Sequence, residues 1–85
     1  MPSQDEQKAP VVLPEIGAGP VELSVWFAEP GESVYEGDRL VEVCAGAATF
    51  DIPSPVTGRL ISRLAEPRDR LKPGQVLGYV QRNSE

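Results

Sequence analysis

One ungapped register organises this sequence. Shifting the chain by 37 residues lays Leu23 on Leu60, Ala28-Glu29-Pro30 on Ala65-Glu66-Pro67, Gly37 on Gly74, Leu40 on Leu77 and Val43 on Val80. Val34 also falls on Leu71, and Glu32 on Asp69. The matches gather at turn formers and apolar positions, so the chain reads as two similar half-domains, neither able to bury its apolar face alone. The expected solution is an all-β flattened barrel or sandwich of two four-stranded halves about a pseudo-twofold axis, with residues 21 to 43 superposing on 58 to 80.

Punctuation supports the β assignment. Proline and glycine at Pro14, Gly17, Gly19-Pro20, Pro30-Gly31, Gly37, Gly46, Pro53, Pro55, Gly58, Pro67, Pro73-Gly74 and Gly78 cut the chain into runs of strand length. Within the runs, Val21, Leu23 and Val25 alternate with Glu22 and Ser24, and no segment sustains a helical period. Strands are expected over Val11 to Leu13, Val21 to Ala28, near Val34, Arg39 to Cys44, Thr49 to Ile52, Leu60 to Ala65, near Leu71, and Val76 to Gln81. Trp26-Phe27 breaks the alternation: one ring must face outward unless a bulge intervenes, and at least one belongs to the core.

The 85 residues suffice for one small domain. Residues 1–10, polar and containing Pro2 and Pro10, read as a flexible leader, residues 11–82 as the folded domain and 83–85 as a tail. Thirteen acidic against eight basic residues leave a net charge of −5, which opposes nucleic-acid binding. No apolar run approaches a membrane span and the N-terminus lacks the apolar core of a signal peptide, so a cytoplasmic location is expected. Cys44 is the single cysteine and histidine is absent, which removes an internal disulfide, the usual zinc ligand sets and histidine-dependent triads. Glu36, Asp38 and Glu42 read as a solvated face rather than an acid/base pair, and no catalytic or metal-binding residue is expected.

The repeat maps Ala47 onto Ser84. Cys44 to Thr49 should therefore form an exposed hairpin tip joining the halves, at the end of the molecule opposite the termini.

The spaced motifs Leu13-Pro14-Glu15-Ile16-Gly17, Glu29-Pro30-Gly31-Glu32-Ser33-Val34, Glu36-Gly37-Asp38-Arg39-Leu40-Val41-Glu42-Val43, Ile52-Pro53-Ser54-Pro55-Val56-Thr57-Gly58 and Pro73-Gly74-Gln75-Val76-Leu77 resemble the lipoyl domains of 2-oxo acid dehydrogenase acyltransferase subunits, within the biotinyl/lipoyl carrier superfamily. In that family the tip reads Glu-Thr-Asp-Lys-Ala, and the lysine amine carries lipoate. Here the tip reads Cys44-Ala45-Gly46-Ala47-Ala48, and the resemblance places Ala47 at the attachment position, Gly46 at the aspartate and Cys44 at a usual glutamate. An alanine methyl cannot form the amide.

The resemblance then implies a non-enzymatic module without cofactor, acting through a protein partner of a 2-oxo acid dehydrogenase-type complex, with no nucleic acid and no membrane. Under this reading the small tip Ala45 to Ala48 is either a plain compact hairpin or a surface that a partner backbone can approach closely. A different reading is a genuine lipoyl or biotinyl carrier of an acyltransferase or carboxylase system, modified elsewhere. Only Lys8, in the leader, and Lys72, at a second-half turn expected away from the tip, offer amines. Cys44 offers a thiol; its plainer role is that of a small apolar strand residue.

Overall fold

A computed structural model describes residues 7–17 and 19–83, which form eight strands: β1 (Lys8–Val12), β2 (Val21–Trp26), β3 (Ser33–Val34), β4 (Arg39–Ala45), β5 (Ala48–Pro53), β6 (Gly58–Arg63), β7 (Arg70–Leu71) and β8 (Val76–Arg82). They build two four-stranded antiparallel sheets, ordered β1-β8-β6-β3 and β5-β4-β2-β7. The expected all-β flattened barrel-sandwich is the architecture found.

The 37-residue repeat is carried into the pairing register. Leu23 lies opposite Val43 as Leu60 lies opposite Val80, and Glu22 opposite Cys44 as Arg59 opposite Gln81. The ladders slip at the same place, between Leu23 and Val25 in β2 and between Leu60 and Ser62 in β6. The turns repeat as well: Glu32 caps the Glu29 amide at 2.6 Å and Asp69 caps the Glu66 amide at 2.9 Å. Asp38 accepts from the Tyr35 amide at 3.1 Å, and the Gln75 side chain from the Lys72 amide at 2.9 Å. These side chains fold back onto their own turn because an acceptor three residues on reaches the free amide. The core between the sheets is apolar, with Leu13, Leu40, Val41, Val43, Leu60, Leu77 and Val80 inaccessible to solvent.

The boundaries move in places, for identifiable reasons. The first strand starts at Lys8 rather than Val11, and Lys8–Pro10, assigned to the leader, pair with Tyr79 to Gln81 of β8. Pro10 is tolerated because β1 is an edge strand, where a missing amide donor need not interrupt a ladder. The remainder of the expected leader, residues 1–6, and residues 84–85 of the expected tail lie outside the described residues. Strand β2 ends at Trp26 and β6 at Arg63, each about two residues short of expectation, because the Ala-Glu-Pro turns begin there.

The bulge in β2 resolves the Trp26-Phe27 pair. Trp26 turns into the core and donates its indole hydrogen to the Ala65 carbonyl at 2.9 Å. Phe27 faces outward, 37% exposed, with the Arg39 guanidinium 4.3 Å from its ring centre. Gly78 makes room for the indole: a Cβ there would lie 3.1 Å from the Trp26 ring and 2.4 Å from the Ser62 carbonyl oxygen.

Candidate functional site

The β4–β5 hairpin is closed by Gly46 and Ala47 alone, since Ala45 already pairs with Ala48. Gly46 has φ +64°, whereas Ala47 keeps an ordinary backbone. Positive φ at the first of two loop residues is the pattern of a type II′ turn, which takes glycine at that place. The tip is therefore shorter than Cys44 to Thr49. Gly46, Ala47 and Ala48 are exposed, but Ala45 is buried, facing inward between Val21 and Ala48. Cys44 is half-buried on the outer face of β4, with Glu22 and Thr49 as its cross-strand neighbours. Neither loop residue carries an amine, so Gly46-Ala47 offers no atom to which lipoate or biotin can be joined.

The tip and the described chain ends belong to different sheets. Ala45 sits beside Val21, while Lys8 pairs with Gln81 and the Asn83 amide donates to the Thr57 carbonyl. Lys72 is not where the sequence suggested. Val21 is flanked by Ala45 on one side and by Leu71 on the other, so Leu71 stands two strand spacings, ~10 Å, from Ala45. Lys72 follows Leu71 in the direction of the tip. It is exposed and begins the Lys72-Pro73-Gly74-Gln75 turn, with Gly74 at φ +83°. The repeat could not reveal this, because β7 pairs with a strand of the other half.

Two concavities flank the same end. An open one of ≈ 310 Å³ is lined by Pro20, Glu22, Cys44 and Gly46. An apolar cleft of ≈ 200 Å³ runs under the segment joining β1 to β2, with Leu13, Ile16 and Leu71 among its lining residues. This segment was missed as a site element. Only the structure shows why: Leu13 and Ser54 are equivalent, each donating its amide to the carbonyl of a matching turn residue (Gln75 and Asp38), yet Leu13 is farther from Val21 than Ser54 from Gly58 by four residues, which takes this segment out of the 37-residue register.

The carboxylates do not converge. Asp38 is used by its turn, Glu36 donates its amide to the Thr57 hydroxyl, and Glu42 lies opposite Val25 and Asp51 on the outer face. No group of side chains suited to hold a metal ion occurs among the described residues, and no described helix is long and apolar enough to cross a membrane.

A pseudo-symmetric pair of four-stranded sheets with a tight hairpin projecting between halves defines the class of biotinyl/lipoyl barrel-sandwich domains. Residues 9–80 match the Biotin_lipoyl family, described as biotin-requiring enzyme, and the chain belongs to that family. Among its relatives is the lipoamide acyltransferase component of the branched-chain alpha-keto acid dehydrogenase complex of Pseudomonas aeruginosa, 42% identical over 67% of this chain and 14% of the relative. The succinyltransferase component of the 2-oxoglutarate dehydrogenase complex of Bartonella vinsonii is 34% identical over 81% of this chain and 17% of the relative. The acetyltransferase component of the pyruvate dehydrogenase complex of Bacillus subtilis is 37% identical over 76% and 15%. The chain thus spans about a sixth of the length of such relatives.

Proposed function

We propose that this chain is a cytoplasmic, non-enzymatic lipoyl-like module in which Ala47 replaces the attachment lysine, and that it acts by binding a protein component of a 2-oxo acid dehydrogenase-type complex. The observation that supports the reading is the hairpin itself: the resemblance puts the attachment position at Ala47, and the two-residue loop of Gly46 and Ala47 that closes β4 on β5 carries no amine. Amide formation needs a nucleophilic nitrogen, so the tip cannot accept lipoate or biotin. The resemblance to acyltransferase components supports the class of partner. The test is the intact mass of the protein purified from its own host. A mass equal to that of the unmodified polypeptide is expected; an added lipoyl or biotinyl mass overturns the reading.

A second reading has one observation in its favour. Lys72 is an exposed amine at the tip end of the molecule, on the far side of Pro20 and Val21 from Gly46. A genuine carrier modified at Lys72 would show the added mass on the peptide containing that residue, and would lose it in Lys72→Arg.

A further inference from the structure

The pseudo-twofold relates two long sheet edges that are not alike. One sheet ends in β1 and the other in β5, and each of these strands has a single neighbour among the described residues. At the middle of β1 stands Pro10, opposite Tyr79, and it has no amide to offer a further strand. Its counterpart on β5 is Asp51, opposite Glu42, and every residue from Ala48 to Ile52 keeps its amide. Proline is one of the devices that close a sheet edge to another chain, and β5 has none before Pro53.

The hairpin register fixes which groups of β5 face outward from its sheet. A two-residue loop is closed by a pair that exchanges both backbone bonds, here Ala45 with Ala48, and the pairs alternate from there. Val43 with Phe50 is a bonded pair, whereas Cys44 with Thr49 and Glu42 with Asp51 are not. Thr49 and Asp51 therefore turn their amides and carbonyls away from β4, toward the open edge. Phe50 lies between them. Its side chain shares the inward side with the buried Ile52, yet it is 40% exposed at the rim of the sheet.

We infer that β5 pairs antiparallel with β5 of a second copy of this chain, about a two-fold axis through Phe50. In that register Thr49 of each copy lies opposite Asp51 of the other and exchanges both backbone bonds with it, so the outward amides and carbonyls of both residues are used. The two Phe50 residues then face each other in a pair without backbone bonds, where side chains approach most closely, and each ring covers the other. Ala48 meets Ile52 on the same side, and on the outer side the Asp51 carboxylate falls beside the Thr49 hydroxyl. Neighbouring registers fit worse. An axis through Asp51 sets two carboxylates directly opposite, and one through Thr49 carries Asp51 past the start of the other strand at Ala48. Because one patch serves both copies, the contact closes as a dimer instead of growing into a fibre. Each copy carries a net charge of −5, so the association tightens as salt screens their repulsion.

The test follows the uniformly ¹⁵N-labelled chain from micromolar to millimolar concentration by sedimentation equilibrium and amide spectra, with a reductant present so that Cys44 stays a thiol. The expected result is a mass rising toward twice that of one chain, tighter association at high salt, and amide shifts centred on Thr49, Phe50 and Asp51. Asp51→Pro removes a donor that β4 does not use, so it should fold, as its spectrum will report, and weaken the dimer at least tenfold. Asp51→Asn keeps the donor and should dimerise at least as well as the parent chain. A single-chain mass at millimolar concentration, a dimer indifferent to Asp51→Pro, or shifts centred on Tyr79 or Arg59 would overturn the pairing. So would β5 shifts that appear only on adding an extended Val-Thr peptide, which would make an unlike strand the occupant.

Discussion

Gly31 and Arg68 occupy one position twice. The Gly31 amide donates to the Leu60 carbonyl at 2.7 Å and the Arg68 amide to the Leu23 carbonyl at 2.8 Å, each turn reaching across to the first long strand of the other half. Both residues have positive φ, +100° and +77°, and Arg68 is the only described residue other than glycine that does. The turn demands a left-handed backbone, glycine meets that demand in one half, and arginine bears it in the other.

Arg68→Gly is therefore expected to stabilise the protein. Relief of a left-handed non-glycine residue is worth ~1–2 kcal/mol, and the added freedom of the unfolded chain returns ~0.4–1 kcal/mol of it. Urea unfolding should show a gain of ~0.5 kcal/mol, and Gly31→Ala a loss of ~1 kcal/mol. A loss for Arg68→Gly would mean that the arginine side chain contributes more than its backbone costs.

Glycines inside the ladders should behave in the opposite sense. A Cβ at Gly58 would meet the Gln81 carbonyl oxygen at 1.8 Å, and one at Gly78 the Ser62 oxygen at 2.4 Å. Both contacts are with backbone, which cannot step aside without opening β6 from β8. Since overpacking alone costs ~1–3 kcal/mol and a domain of this size holds ~3–5 kcal/mol, Gly58→Ala should leave the chain largely unfolded by circular dichroism at 37 °C. Gly78→Ala should lower the midpoint and shift the Trp26 fluorescence.

The Arg39–Asp51 pair should be nearly silent. Its charges are 3.9 Å apart and both side chains are well exposed, and Asp51 also faces Glu42 directly across the ladder. Loss of a weak ion pair and relief of a like-charge pair offset each other, so Asp51→Ala should change stability by less than ~0.5 kcal/mol in either direction. A larger loss in low salt would show that the pair is stronger than its exposure allows.

At the tip, incubation with lipoate ligase is expected to leave the protein unmodified, while Ala47→Lys combined with Cys44→Glu yields a substrate detected by intact mass. Position 47 is exposed and makes no core contact, so the lysine should cost less than ~0.5 kcal/mol. Adding Gly46→Asp completes the family's tip but places aspartate at φ +64°, at a cost of ~1 kcal/mol. A folded triple variant that stays unmodified would show that the II′ turn presents its second residue in the wrong direction for the ligase.

Much of this architecture was written in the offset of 37. It carried β2 onto β6, β3 onto β7 and β4 onto β8 without a gap, and even the bulges recur in register. Two things were not legible. The partner of β5 across the pseudo-axis is β1, where Lys8 answers to Thr49 at an offset of 41, because the β1–β2 connection is four residues longer; with Pro10 in its middle the strand lost its pattern. The place of Lys72 was hidden for a different reason. Its neighbour Leu71 pairs with Val21, a contact between halves, and periodicity within a half says nothing about which sheet a two-residue strand will join. At the site, sequence located the hairpin, but the burial of Ala45 follows from its inward place opposite Val21, which depends on register.

The exchange of β3 and β7 reaches further than the placement of one lysine. Each sheet takes two strands from residues 8–45 and two from residues 48–82, so neither segment owns a complete sheet. The topology is that of two interlocked protomers made continuous by the Gly46–Ala47 link. Contacts that close the fold span long stretches of chain, which favours slow, all-or-none assembly over stepwise docking of one part on another. Cut at that link, the two fragments would have to find each other before either acquired a core.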